Sequence, residues 1–355
     1  MARIKTAIIG CGKNANELHT PILLRHPEFI VTGTYDLVYD RAEKLAKVFY
    51  LNSHADCKAY ESSEALLATD VEYIVVLTDS ASHTKVAADC LRAGKNVLIT
   101  KPWALDSKDA AFIIDEAKKA KAKYGVSLMP FLPQNWGTDL STIKEIIDSG
   151  DIGQVYMIRR RAGTFGKRYD WQIYKKFGGG YLNNWGPHLL GQLLALVDEP
   201  VVQVFAEKRQ VIMDGDCEDT FVAMMKTQSG IILNCEHCIM VDKLPHWIVQ
   251  GSKGTIFVTD GTIDVHKISY PGPIDPTAYR SKTEDDNKTY PLPGQYNGDR
   301  FAIYSHIADV IRHKCEYRVP LTFTRNLTTV CDAIHTSADT DHIVRISPEQ
   351  WNKAL

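Results

Sequence analysis

The chain has 355 residues, 45% of them hydrophobic and 24% charged, with a formal net charge of −2. That length exceeds one typical hydrophobic core, so two domains of ordinary globular composition are expected. The near-neutral balance excludes a field that would gather nucleic acid or an anionic membrane, and no run of about 20 apolar residues is present to span a bilayer.

The first predicted strand, Lys5–Gly10, follows the start of the chain with no secretory leader, so a cytoplasmic location is expected. The strand runs into Gly10, Gly12 and Ala15, spaced as G-x-G-x-x-A. This is the turn that lets backbone approach a dinucleotide pyrophosphate: Gly10 permits the tight bend, Gly12 leaves room for phosphate, and Ala15 lets the next helix lie close to the strand. The start of that helix, with Lys13 and Asn14, would present free N–H groups to the anion. A second strand, Phe29–Tyr35, ends at Asp36, about 20 residues past the turn, where a carboxylate accepts from an adenosine 2′-hydroxyl and repels a 2′-phosphate. NAD is therefore expected rather than NADP, with Arg41 close enough to soften that preference.

Strands Tyr73–Leu77, Val97–Thr100 and Ser127–Pro130 follow, alternating with helices Glu43–Phe49, Ser62–Leu67, His83–Ala93 and Ser107–Tyr124. The alternation predicts an α/β doubly wound parallel sheet, a Rossmann domain over 1–126, with its ligand crevice at the carboxyl ends of the strands. Asp36, the segment Thr78–Ser82, His83 and the pair Lys101-Pro102 all fall at or just beyond such ends. Lys101 sits where a cation can hold a substrate hydroxyl and stabilise negative charge on oxygen, or is a surface lysine at a strand end. The bond before Pro102 is a candidate cis peptide.

Beyond residue 130 the pattern changes. A helix, Leu140–Ser149, is followed by β-rich runs at Gln154–Arg161, Val201–Val211, Thr220–Lys226, Gly230–Met240, Trp247–Gly251 and Thr255–Val258. Strands without intervening helices predict an α+β second domain, 127–355, built on a large, mostly antiparallel, open-faced sheet that a homo-oligomer would cover. Residues 269–299, rich in Pro, Gly and charge, read as a loop, and helices resume at Arg300–His313 and Arg325–Ser337. The cysteines are scattered; Cys235 and Cys238, three apart on a strand, point to opposite faces and suit neither a zinc site nor a redox pair. No metal is expected.

The remaining element is the run Gly178 to His188, three glycines leading through Asn183, Asn184 and Trp185 into a helical stretch, Gly186–Leu196. A helical turn beginning by residue 184 would put Asn184 and His188 on one face, with an imidazole able to take a hydroxyl proton near neutrality. Trp103, Trp136, Trp171, Tyr174, Tyr181 and Trp185 cluster around these motifs; such rings either fill the core or stack on the C–H face of a sugar.

The Gly10–Ala15 turn, Asp36, the Leu91–Pro102 run, the helix ending Ile147–Gly150, the Gly178–His188 loop and the tail Ala333–Val344 together resemble the Gfo/Idh/MocA family of NAD(P)-dependent oxidoreductases over nearly the whole chain. The resemblance implies a Rossmann domain joined to an open-faced sheet domain and oxidation of a secondary alcohol of a sugar, inositol or related polyol. It implies that Lys101 contacts the reacting hydroxyl and that His188 is acid and base. Three positions depart from the family's pattern: Thr100 replaces Glu, Asn184 replaces Asp, and Gly191 replaces a further Asp. Asn184 can bond a hydroxyl but cannot be a base, which leaves His188 in that role. Gln134-Asn135-Trp136 replaces an Arg-Arg-Phe and alters the pocket. With Trp136, Trp171, Tyr174 and Trp185 beside Asn184, the site resembles members that oxidise the C3 hydroxyl of a glucoside, including gut-bacterial enzymes acting on C-glucosides. The alternatives are a glycosidase using transient C3 oxidation on retained NAD, an inositol or aldose dehydrogenase, and a non-catalytic NAD-binding regulator.

Overall fold

The computed structural model describes residues 2–351 apart from 54–55, 260, 274–275, 280–282, 293 and 295–297. Six parallel strands form the first sheet: β1 (Ile4–Ile9), β2 (Phe29–Tyr35), β3 (Lys58–Ala59), β4 (Tyr73–Val76), β5 (Asn96–Thr100) and β6 (Leu128–Phe131). Their order, β3-β2-β1-β4-β5-β6, is doubly wound about β1, which places a topological switch point between β1 and β4. The short β3, and a π-helical turn at Ala15–His19 that continues into α1 (Thr20–Leu23), carry no strong periodicity and escape sequence reading. The expected domain boundary at 126/127 falls immediately before β6.

Alternation within the buried strands divides the core in two. Tyr73 and Val75 of β4 face one side with α2 (Tyr39–Ser53), while Ile74 and Val76 face the other with α3 (Ser63–Leu67), α4 (His83–Arg92) and α5 (Ser107–Tyr124). Both faces are dry, which is why these strands read as unbroken apolar runs. Helix ends are specified locally: Ser62 and Asp106 cap α3 and α5 with side-chain oxygens, and Gly125 at φ 72° ends α5.

After α6 (Thr138–Asp148) comes β7 (Val155–Thr164), then α7 (Tyr181–Val197). The run of strands is β8 (Val201–Arg209), β9 (Thr220–Thr227), β10 (Ile232–Ile239), β11 (Trp247–Gly251), β12 (Gly254–Thr259), β13 (Thr262–Ser269) and β14 (Glu284–Pro291). Helices α8 (Arg300–Ile311) and α9 (Leu321–Thr340), a short β15 (Val344–Arg345) and α10 (Pro348–Trp351) complete the described chain. The nine-stranded sheet is ordered β14-β13-β12-β11-β7-β10-β9-β8-β15 and is antiparallel except at the β10–β7 pair. Part of the expected 269–299 loop is therefore strand: β14 pairs with β13 from Thr262↔Pro291 to Ser269↔Glu284. Its sequence, Glu-Asp-Asp-Asn-Lys-Thr-Tyr-Pro, is exposed almost throughout, so it shows no apolar alternation to read. A charged strand at an outer edge also discourages edge-to-edge association.

Helices α6, α7 and α9 cover one face of this sheet around Leu189, Leu190, Leu193, Leu233, Trp247 and Ile334. The opposite face carries exposed Tyr156, Phe205 and Met224. Helix α8 returns to the first domain, where Ile303, Tyr304 and Ile307 join the core beneath β1 and β4. Cys235 is buried and Cys238 half-buried, and both are free thiols.

Candidate active site

A cleft of about 460 Å³ lies at the carboxyl ends of β1, β2 and β4, lined by Gly10, Gly12, Asp36, Thr78 and Ser82 among others. Gly10 adopts φ 94°, and a Cβ there would lie 2.6 Å from the Leu77 carbonyl carbon, so the turn requires glycine. A Cβ on Gly12 would meet nothing within 4 Å: this glycine borders open space in the cleft, as close approach of a pyrophosphate needs. Asp36 is fixed by two backbone donors, Cys11 N–H to Oδ2 at 2.8 Å and Val38 N–H to Oδ1 at 2.8 Å. The glycine turn, the helix start and this anchored carboxylate fit a dinucleotide with a free 2′-hydroxyl.

The other expected cofactor residues are placed variously. Lys13 and Asn14 are exposed on the first helical turn, Lys13 3.9 Å from Glu17. His83 lies behind the cleft, 2% exposed, with Nδ1 2.7 Å from the Pro102 carbonyl and Nε2 3.1 Å from the Thr78 carbonyl. It ties the turn after β4 to the turn after β5, whose Lys101-Pro102 bond is cis. Sequence reading missed Leu37, Val38 and Phe177 in the cleft wall, and Trp171, expected against substrate, lines this cleft as well.

Lys101, one residue past β5, and α7 meet across the two domains. The Lys101 ammonium donates to the Asn184 backbone carbonyl at 2.8 Å and also to Asn184 Oδ1. Burial pushes Lys101 down to about 7; the Arg168 guanidinium adds to the effect and Asp170 opposes it. Helix α7 begins at Tyr181, so Asn184 and His188 share a face one turn apart. His188 is 8% exposed. Burial first, then Lys101, Arg160 and Arg300, hold its pKa well below the ordinary imidazole value. The ring is therefore neutral at physiological pH, and its Nδ1 has no hydrogen-bond partner among the described residues. A neutral imidazole next to a partly titrated ammonium can accept a hydroxyl proton while the ammonium steadies the oxygen.

The helix is braced from behind. Gln192, one turn past His188, accepts from Arg160 Nε at 2.8 Å and donates to the Gln134 carbonyl at 3.2 Å. Buried Asp139 accepts from Trp247 Nε1 at 2.8 Å, and the Arg160 guanidinium lies 5.0 Å from the Trp247 ring centre. Gln192 was accessible to sequence reading, four residues from His188. Arg160, Arg168 and Asp170 were not, because only the fold brings them to the site.

The aromatic residues divide. Trp185 lies edge-on to His188 with ring centres 6.2 Å apart and stacks on His237 at 5.2 Å. Tyr174 is 42% exposed, while Trp136 stacks under the Arg318 guanidinium at 4.5 Å and against His306. Trp103 is buried core, its Nε1 donating to Thr328 at 2.8 Å.

Two family descriptions match: an oxidoreductase family NAD-binding Rossmann fold over residues 4–128, and a GFO/IDH/MocA C-terminal domain over 140–257. The chain belongs to the Gfo/Idh/MocA family. It is an NAD-dependent oxidoreductase of that family, with its dinucleotide domain at the N-terminus. Among solved structures, an NAD-binding protein from Listeria innocua is 27% identical and superposes with a TM-score of 0.82 over 99% of each chain. GenD2 from gentamicin A biosynthesis, solved in complex with NAD, has the same fold as this chain at 20% identity and a TM-score of 0.80, covering 98% of this chain and 97% of that one. Myo-inositol 2-dehydrogenase of Thermotoga maritima is 24% identical over 265 residues, 72% of this chain and 75% of its own.

Proposed function

We propose that the protein oxidises a secondary hydroxyl of a sugar or glycoside, the C3 hydroxyl of a glucoside being the best fit, with NAD as acceptor. The observation that supports this most is the convergence of Lys101, Asn184 and His188 from two domains. Lys101 and Asn184 hold the hydroxyl. Neutral His188 removes its proton. NAD, when bound, supplies the acceptor for the hydride leaving the same carbon. Donor and acceptor carbons must be held at about 3–3.5 Å, which two domains meeting at one turn can enforce. Asp36 favours NAD over NADP. Trp185 beside His188, and exposed Tyr174, offer faces for a pyranose and its aglycone. The names of the inositol dehydrogenase and gentamicin-pathway relatives are consistent with a polyhydroxylated ring as substrate. We further propose that the open face around Phe205 and Met224 is covered by a second copy of the chain.

The deciding experiment incubates the protein with NAD and a panel of glucosides and identifies products by mass spectrometry. A 3-oxo-glucoside with stoichiometric NADH supports the proposal. Free sugar without net NADH would instead select the glycosidase chemistry, and absence of turnover on the whole panel, with NAD bound, would overturn both.

A further inference from the structure

A line of polar side chains runs from α9 to the glycine turn that precedes α7. Lys208 Nζ lies 3.0 Å from Asp339 Oδ1 and 3.0 Å from His335 Nδ1. His335 Nε2 lies 3.1 Å from Asn183 Oδ1. Asn183 Nδ2 donates to the Gly179 carbonyl at 2.9 Å and approaches the Gly178 carbonyl at 3.4 Å. The direction of every bond is fixed by chemistry. An ammonium only donates, so His335 Nδ1 is the acceptor and the ring proton sits on Nε2. Nε2–H therefore donates to Asn183 Oδ1, and this sets the amide with its NH2 toward the two glycine carbonyls.

The turn so held has little freedom elsewhere. A Cβ on Gly178 would lie 2.9 Å from Ser80 Cβ, and one on Gly179 2.3 Å from the Gln172 carbonyl oxygen. Phe177, just before it, accepts from Ala81 N–H at 3.2 Å, so the turn is seated directly on the cofactor domain. Asn184, the residue after Asn183, meets Lys101.

We propose that His335 is a positioning residue for the active site: through Asn183 it fixes the Gly178–Gly180 turn and with it the placement of Asn184 against Lys101. It touches neither reacting atoms nor cofactor cleft. The inference rests on reading Lys101, Asn184 and His188 as the reacting set. A relay of this kind is worth its desolvation only if each member is satisfied, and here each is.

The test compares H335L, H335Q and N183A with the wild type, using NAD and methyl β-D-glucopyranoside for turnover and amide hydrogen exchange across residues 177–185 for the turn. H335L should speed exchange in that segment by about tenfold or more and lower kcat by about tenfold, with the KM for NAD within about threefold, because a misplacement near 1 Å is costly at the reacting carbon. In H335Q one amide can replace both bonds, accepting from Lys208 and donating to Asn183, so it should restore both readouts to within about threefold. If H335L does not fold, N183A is read instead and must loosen the same amides. Unchanged exchange in H335L or N183A, or H335Q as defective as H335L, overturns the assignment. Absence of wild-type turnover on the glucoside overturns the substrate reading alone, since the exchange rates are measured without substrate.

Discussion

The two sheets solve the problem of holding a site in different ways. The parallel sheet is buried on both faces, so only the ends of its strands can offer chemistry: Gly10, Asp36, Thr78 and Lys101 are all end residues. The nine-stranded sheet is buried on one face only, and its chemistry lies on α7, laid across that face. One domain thus presents the cofactor side from loops, and the other presents the proposed base from a helix packed as core. His188, the group proposed to react, is also a core residue, and burial keeps its ring neutral.

The largest effect that separates the halves is acid instability. Burial lowers His19 in the first domain to about 3, and lowers His237 and His335 in the second to about 4. Each folded-state value lies below the unfolded 6.5, so the unfolded chain binds more protons between those limits. The stability from keeping these rings neutral is complete above pH 6.5 and drains as pH falls toward 4. Each group should contribute a loss on the order of 2 kcal/mol between pH 6.5 and 5, at 1.36 kcal/mol per unit. Urea midpoints at pH 7 and pH 5 measure the total, and amide exchange assigns it to a domain. A midpoint insensitive to pH would mean these rings are hydrated.

Next come the groups proposed to react. Lys101→Met and His188→Ala should each lower kcat by at least about a hundredfold while leaving NAD affinity intact, because neither side chain lines the dinucleotide cleft. Near-normal turnover in either variant would remove that residue from the mechanism. The pH profile sharpens the contrast: with Lys101 near 7, kcat/KM should fall above pH 7 as the ammonium is lost, and Lys101→Met should abolish that limb.

What the sequence made legible follows the same division. Strands buried on both faces, such as β4 and β5, announce themselves as short apolar runs, and the G-x-G-x-x-A turn with Asp36 is local enough to read directly. The pairing of Lys101 with Asn184 spans 83 residues and is accessible only through resemblance to a family. The His335–Asn183 bond spans 152 residues between two polar side chains with no local signature, and nothing in the sequence marks it. β14 was illegible because its residues are exposed on an edge, where patterning is not constrained.

A smaller effect distinguishes the two glycines of the first turn, Gly10 and Gly12. Gly10→Ala forces a Cβ into the Leu77 backbone at a positive φ, where no flexible side chain can give way, and should cost about 1–3 kcal/mol of stability. Gly12→Ala meets no protein atom and should leave the melting temperature unchanged while weakening NAD binding, because its Cβ enters the cleft. Calorimetry and NAD titration on the two variants separate fold from function within one turn. Equal loss of stability in both would show that the open space at Gly12 does not exist in solution.

The smallest effect on the fold concerns the open face. Met224 is 52% exposed and pairs across the ladder with Phe205, itself 43% exposed, and with Asn234 on the other side. Exposed apolar side chains adjacent on a sheet cost little to a monomer but make a surface suited to a partner. Met224→Lys should therefore change the unfolding free energy by no more than about 0.5 kcal/mol, as for an ordinary surface substitution. In a homo-oligomer built on this face the same charge would be buried without a counter-ion and should drive dissociation. Light scattering on the wild type and the variant reads the difference: a fall in mass with the melting profile kept supports a covered face. Equal masses would place any association elsewhere, leaving the sheet's outer face free in the assembled protein and the second domain's chemistry dependent on its inner face alone.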